Sequence, residues 1–219
     1  MTKLQIFLLG AATAVGLVAG PCAGVQAQTL IEEWATAKLP APPELKPATL
    51  IAKETAVLVM DFTNQTCSSA RRPRCAASVP KVLKLVSEAR ARGALIIYSV
   101  AVPGSVATDI LKELTPKAGE PVLPPLGPDK FIGSDLEKTL KDEGIKTVVA
   151  MGTQAQTSVL HTAGAAALRG FKVIVPVDGM SADDVFPELY TAWHLANAAR
   201  IGPQVTLTKL ELIRILSTS

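Results

Sequence analysis

Short apolar runs alternate with amphipathic stretches along the chain from residue 56 onward. The runs are rich in β-branched residues and contain few polar positions, as expected for strands that are buried on both faces. The predicted strands span residues 56–60, 94–102, 147–151, 172–177 and 205–208. Strands separated by helices at this spacing form right-handed crossovers. The pattern therefore predicts an α/β fold, a three-layer α/β/α sandwich with a mostly parallel central sheet.

Between these strands, apolar positions recur at the spacing of one helical face. The first such stretch carries Val79 and Val82 and ends near Arg92 and Gly93, since basic residues and a glycine are typical of a helix C-terminus. Further helices are predicted over residues 135–143, 159–169 and 188–199. Each of the later strands therefore follows a helix.

The beginning of the chain has a different composition. Residues 1–27 contain Lys3, an apolar run and a small-residue stretch ending at Ala27, which predict a secretory signal peptide cleaved after Ala27. The alternative is a lipoprotein signal at Cys22, which Pro21 directly before it disfavours. We therefore expect a periplasmic or secreted protein with no membrane span after cleavage.

The remaining chain divides into a lead-in and one domain. Residues 28–54 are predicted to form a short helix near residues 29–38 and then a proline-rich tether. Residues 55–219 form the predicted α/β domain, whose length suits one sizeable core. Trp193 on the helix over residues 188–199 is interpreted as a core residue or a subunit contact, and we expect the interface of a homo-oligomer on this helix.

Composition also restricts the partners. The net charge is +3 and aromatic residues make up 4% of the chain, so the basic and stacking surfaces that nucleic-acid binding needs are lacking. A small-molecule ligand or substrate is the expected partner.

Cys67 and Cys75 are the cysteines that remain after removal of the predicted signal peptide. An oxidising exported compartment lets such a pair persist as a disulfide, so we expect them to be bonded. They would close a small loop that carries three arginines, Arg71, Arg72 and Arg74. The alternative is a reactive thiol or a metal pair, but no histidine lies nearby and two thiols alone make a poor metal site.

Ligands of parallel sheets bind beyond the carboxyl ends of the strands, which directs attention to two segments. Asp61 directly follows the first strand and is a candidate general base, or alternatively a loop cap or a partner of an arginine in the cysteine loop. Residues 152–158 join a strand to a helix, whose first N–H groups suit an oxyanion. Ser158 is the candidate nucleophile there, or alternatively a local hydrogen-bonding residue near a helix start.

Several motifs follow one another in order along the domain. They are Asp61 after its strand, residues 131–136 (FIGSDL), the glycine turn, residues 158–163 (SVLHTA), residues 170–173 (GFKV) and Asp178. In order and spacing they resemble the isochorismatase-like cysteine hydrolases over about residues 55–208. The resemblance implies a parallel-sheet α/β fold without a cofactor. Many members hydrolyse C–N bonds of amides or the vinyl ether of isochorismate.

Hydrolases of that family use an aspartate, a lysine and a cysteine. The resemblance implies that Asp61 is the aspartate, puts Ser158 at the cysteine position and puts Pro125 at the lysine position, with Lys130 as the nearest substitute. A serine hydroxyl is a much weaker nucleophile than a thiolate unless a base takes its proton. We expect hydrolysis of a small ester or amide through Ser158, or alternatively a catalytically inactive relative that binds a small metabolite.

Other residues of this region receive secondary interpretations. Gln154 and Thr157 on the turn and Phe131 in the FIGSDL phrase are the predicted substrate contacts. His161 lies one helical turn after Ser158 and is an alternative assisting group.

Some family members bind a metal through an aspartate and two histidines. The histidines of this chain are His161 and His194, and neither follows Asp61 at a comparable position, so no metal is expected. Asp183 and Asp184 are interpreted as loop charges or as caps of the following helix.

Overall fold

The computed structural model describes residues 29–217, so the predicted signal peptide lies outside the described residues. The chain divides after Leu39 into two compact units. The first contains helix α1 (Leu30–Glu33), which is shorter than the helix predicted over residues 29–38. Among residues 29–217, no helix combines the length and apolar composition that crossing a membrane requires.

Strands and helices alternate in the second unit. Its strands are β1 (Ala48–Ile51), β2 (Thr55–Met60), β3 (Leu95–Ser99), β4 (Val122–Leu123), β5 (Thr147–Thr153), β6 (Lys172–Pro176), β7 (Met180–Ser181), β8 (Val205–Thr208) and β9 (Ile213–Leu216). Its α-helices are α2 (Pro73–Ala91), α3 (Leu136–Asp142), α4 (Leu160–Leu168) and α5 (Val185–Asn197). A π-helical turn, Ala155–Val159, leads directly into α4.

The central sheet has the order β4-β3-β2-β5-β6-β8, and β7 pairs with the end of β5. All of these pairings are parallel, which confirms the predicted sheet. β2 and β5 are neighbours, with Met60 opposite Gly152. Because parallel strands end at the same edge, the residues that follow β2 and β5 meet there.

Alternate residues of β2 enter two separate cores. Val57 and Val59 pack in one core with α2, whereas Leu58 and Met60 pack in the other with α3, α4 and α5. Complete burial of such a side chain contributes about 2 kcal/mol or more. The predicted three-layer α/β/α sandwich is thereby confirmed.

A second, two-stranded parallel sheet joins β1 to β9, with Ala48 opposite Ile213. Leu50 and Ile215 of this sheet are buried in the α2 core. The apolar pattern predicts neither strand, because each has four residues of which every second one is exposed. Their pairing brings residues 48–51 of the predicted tether into the compact unit.

Candidate active site

Asp61 is placed at the carboxyl edge of the sheet by an unusual backbone conformation. Its φ of 62° lies in the left-handed region, which aspartate tolerates better than most residues. Its N–H donates to the carbonyl oxygen of Ser99 at 3.1 Å, and its own carbonyl oxygen accepts from the N–H of Thr63 at 2.9 Å. The surrounding turn therefore holds this backbone, and the side chain is fully buried.

The carboxylate of Asp61 has three side-chain partners. The Ser99 hydroxyl donates to Oδ1 at 2.7 Å, and the Ser158 hydroxyl donates to Oδ2 at 2.5 Å. The Lys130 ammonium lies 3.0 Å from the same Oδ2. The structure thus brings the three predicted catalytic residues, Asp61, Lys130 and Ser158, together at one carboxylate.

Lys130 reaches Asp61 from the segment that precedes α3. Its Nζ also donates to the carbonyl oxygen of Gly127 at 3.1 Å, and its side chain is 3% exposed. Its backbone N–H donates to the hydroxyl of Thr162 on α4 at 3.1 Å. Lys130 is therefore fixed at both its backbone and its ammonium. It occupies this place although it stands five positions after Pro125, the position that the resemblance assigns to the lysine.

Ser158 lies in the π-helical turn and is 4% exposed. This turn is reached through Gly152, whose φ is +153°. A Cβ at that position would lie 2.3 Å from the carbonyl oxygen of Met60, so only glycine lets β5 run this close to the end of β2. The peptide bond between Thr153 and Gln154 is cis.

The disulfide predicted between Cys67 and Cys75 is confirmed, with the two Cα atoms 5.2 Å apart. The arginines of its loop do not pair with Asp61. Arg72 pairs with Asp183, and Arg74 pairs with Glu188.

The two aspartates before α5 have different roles. Asp184 caps the helix, since its carboxylate accepts from the N–H of Val185 at 2.6 Å. Asp183 is a charge in the loop before α5 that pairs with a buried cation: Arg72 binds its Oδ1, and the amide of Gln154 donates to its Oδ2 at 2.7 Å. The sequence does not reveal the pairing of Arg72 with Asp183, because the two residues are far apart in the chain.

The predicted substrate contacts have partners within the protein. Phe131 is 6% exposed, and its ring packs against Phe171 and under the guanidinium of Arg169, 4.5 Å from the ring centroid. The side-chain amide of Gln154 is bonded to Asp183, and the Thr157 hydroxyl donates to the Gln154 carbonyl oxygen at 3.3 Å. Phe131 is part of a hydrophobic core, and its role as a substrate contact stays a prediction.

The histidine considered as an assisting group is exposed on α4, whereas Ser158 is buried. Within residues 29–217, no group of three or more His, Cys, Asp or Glu side chains is arranged to hold a metal ion.

Ser99 is the member of the site that sequence reasoning misses. A strand predicted to extend to residue 102 places Ser99 in its interior, but β3 ends at Ser99. The hydroxyl therefore lies at the carboxyl edge beside β2, since Ser99 is opposite Met60. A correct strand end was the signal that would have found it.

Comparisons with a family model and with known proteins identify the same family. Residues 55–209 match the model of the isochorismatase domain. The secreted isochorismatase effector Isc1 of Verticillium dahliae is 28% identical over 149 residues, which cover 64% of this chain and 78% of that protein.

Solved structures share the fold. An isochorismatase family protein from Desulfovibrio vulgaris superposes with a TM-score of 0.65 at 21% identity, covering 72% of this chain and 95% of that one. N-carbamoylsarcosine amidase from Thermoplasma acidophilum gives a TM-score of 0.62 at 24% identity, covering 72% and 97% of the two chains.

Proposed function

The chain belongs to the isochorismatase family, and we propose that it is an exported hydrolase-like member that cleaves a small ester or amide through Ser158. The observation that carries this proposal is the geometry at Asp61. Its Oδ2 accepts the Ser158 hydroxyl at 2.5 Å and faces the Lys130 ammonium at 3.0 Å. A nucleophile whose proton already points at a buried base is the arrangement that serine chemistry needs.

In the proposed reaction, Asp61 takes the proton of Ser158 as the serine Oγ attacks the substrate carbonyl carbon. The negative charge that develops on the carbonyl oxygen is stabilised by the N–H groups of Ala155 and Gln156, which open the Ala155–Val159 turn, since the first N–H groups of a helix lack a partner one turn before them. Collapse of this intermediate breaks the bond to the leaving alcohol or amine, which takes the proton from Asp61. Water then attacks the acyl serine while Asp61 takes its proton, and Asp61 returns a proton to the Ser158 Oγ as the acid product leaves.

Lys130 supplies the counter-charge that a buried carboxylate requires. Because its Nζ is also held by the Gly127 carbonyl oxygen, the ammonium stays beside Oδ2 and does not itself attack the substrate. Esters are favoured over amides, because resonance with nitrogen makes the amide carbonyl less electrophilic and a carboxylate base only weakly activates a hydroxyl.

The test uses a serine-directed covalent probe and a panel of small esters and amides with the mature protein. Ser158→Ala should abolish both labelling and hydrolysis. Ser181→Ala is the matched control, since Ser181 is a buried serine on the neighbouring β7 and its hydroxyl has no hydrogen-bond partner in the described part of the chain. Equal labelling of wild type and Ser158→Ala would contradict the proposal.

The second candidate function is a catalytically inactive relative that binds a small metabolite. It is favoured by one observation: the Ser158 hydroxyl is buried and already bonded to Asp61. The sequence resemblance, which puts Ser158 at the position of the family's cysteine, points in the same direction. In that case a ligand screen by thermal shift should find a stabilising compound while the ester panel stays silent. Asp61→Asn should weaken the thermal shift if the ligand occupies this site.

Export is part of the proposal. It is supported by the predicted signal peptide over residues 1–27, by the Cys67–Cys75 disulfide, and by the name of the Verticillium relative, which describes that protein as secreted. Mass spectrometry of protein recovered from an exporting host should find a chain that begins at Gln28. A chain that retains Met1 would contradict it.

A homo-oligomer formed through α5 is also proposed. Its support is a stripe of exposed apolar side chains along one helix, comprising Val185, Phe186, Leu189, Tyr190 and Trp193. Trp193→Glu should shift the protein to monomer in sedimentation velocity. Leu168→Glu, at an exposed apolar position on α4, is the control and should leave the mass unchanged. A wild-type monomer at all concentrations would contradict this proposal.

A further inference from the structure

Arg72 is a buried cation that is not one of the proposed catalytic residues Asp61, Lys130 and Ser158. It lies within the ring closed by Cys67 and Cys75, directly before α2, and its side chain is 3% exposed. Its backbone N–H donates to the Ser68 carbonyl oxygen at 2.7 Å, and its carbonyl oxygen accepts from the N–H of Ala76 at 3.2 Å. The guanidinium therefore projects from a backbone that the disulfide and the start of α2 both fix.

One side of the guanidinium holds the turn that carries Asp61. Its Nη1 donates to the carbonyl oxygen of Thr66 at 2.7 Å. The Thr66 hydroxyl in turn donates to the carbonyl oxygen of Asp61. Arg72 is thus connected to the Asp61 backbone through a single intervening residue.

The other side holds the turn that carries Ser158. The same Nη1 donates to the Thr153 hydroxyl at 2.8 Å, and Nε and Nη2 bind Asp183 Oδ1 at 2.8 and 2.7 Å. Asp183 Oδ2 accepts from the side-chain amide of Gln154 at 2.7 Å. The last residue of β5 and the first residue after it are therefore both tied to Arg72.

We propose that Arg72 is a positioning residue that fixes the separation between the Asp61 carboxylate and the Ser158 hydroxyl. A guanidinium is suited to this because its planar fork of five donors fixes direction as well as distance, which an ammonium on a flexible stem does not. The inference rests on the proposed function only in taking Ser158 as the reacting group. Small displacements of reacting groups cost large factors in rate, so the effect should be visible in reactivity rather than in stability alone.

The test measures reactivity at position 158 without requiring any hydrolysis. In mature Ser158→Cys protein with the disulfide intact, the introduced thiol is the single titratable thiol, and its alkylation rate with iodoacetamide is measured from pH 5 to pH 10. The same profile is measured after adding Arg72→Met, Arg72→Lys or Arg74→Met. Arg74 is the matched control, because it lies in the same disulfide ring but pairs with Glu188 at the surface.

Arg72→Met should shift the alkylation midpoint toward the ordinary thiol pKa of about 8.5 or change the limiting rate by roughly fivefold or more. Arg72→Lys should give a smaller change in the same direction, and Arg74→Met should leave the profile unchanged. If Arg72→Met does not fold by circular dichroism, Arg72→Lys carries the test. Profiles that match the Arg74→Met profile in folded Arg72 variants would overturn the proposal, whether or not the wild-type protein hydrolyses esters.

Discussion

Replacing Lys130 by methionine would test the buried ion pair at the centre of the site. Methionine keeps most of the length of the side chain and removes its charge. In Lys130→Met the Asp61 carboxylate would keep the hydroxyls of Ser99 and Ser158 as donors but lose the cation 3.0 Å from Oδ2. The carboxylate is fully buried, so bulk solvent does not compensate for the lost cation as it would at the surface.

The expected loss is about 3–5 kcal/mol of the free energy of unfolding, as is typical when one partner of a buried pair is removed. Adding Asp61→Asn should recover part of this loss, because a neutral amide leaves no unpaired charge. We expect Asp61→Asn/Lys130→Met to be more stable than Lys130→Met by roughly 2 kcal/mol or more. Asparagine also tolerates the left-handed backbone of Asp61.

The assay is equilibrium unfolding in urea, followed by tryptophan fluorescence with the disulfide intact. Lys146→Met is the matched control, since Lys146 pairs with Glu54 at the surface and its removal should change stability little. The reasoning would be refuted if Lys130→Met were as stable as Lys146→Met, or if the double variant were no more stable than the single one.

Three further predictions concern stability. Removing the disulfide by Cys67→Ala/Cys75→Ala should cost about 2–3 kcal/mol by the entropy of closing so short a loop, measured by urea unfolding, and an unchanged midpoint would contradict this. Burial raises the pKa of Tyr98 to about 12, whereas the unfolded chain releases this proton near 10. The native state then binds more protons between these values, so stability should fall by about 2 kcal/mol as the pH rises from 10 to 12, and Tyr98→Phe should lack this component. Gly152→Ala should cost roughly 3 kcal/mol or more, because its Cβ meets a backbone oxygen, whereas Gly144→Ala has open space and should cost less in thermal unfolding.

Much of the fold follows from local sequence patterns. Buried parallel strands such as β2 and β5 consist mostly of apolar and β-branched residues, so their composition alone indicates them. β1 and β9 are different, because a four-residue strand with alternate residues exposed carries too little signal without its partner. Their pairing places Ala48 opposite Ile213, two residues near opposite ends of the domain sequence, and no local pattern encodes such a contact.

The candidate site divides in the same way. The sequence predicts Asp61 and Ser158 because both follow the ends of parallel strands, and the family resemblance implies their roles. Lys130 could be proposed only as the nearest lysine, since its contact with Asp61 depends on how the segment from Gly127 folds back. The role of Arg72 was hidden because Asp183 lies far away in sequence and meets it only after β5 and β7 pair.

The small sheet of β1 and β9 has a consequence for folding during synthesis. β1 is synthesised long before β9, so their parallel pairing, in which Ala48 lies opposite Ile213, can form only after the ribosome has made β9. Until then Leu50 has no partner strand beside it, and the surface of α2 that Ile215 covers stays open. A nascent chain stalled before residue 213 should therefore be cleaved by proteases near residues 48–51, and extension of the chain beyond β9 should close that site.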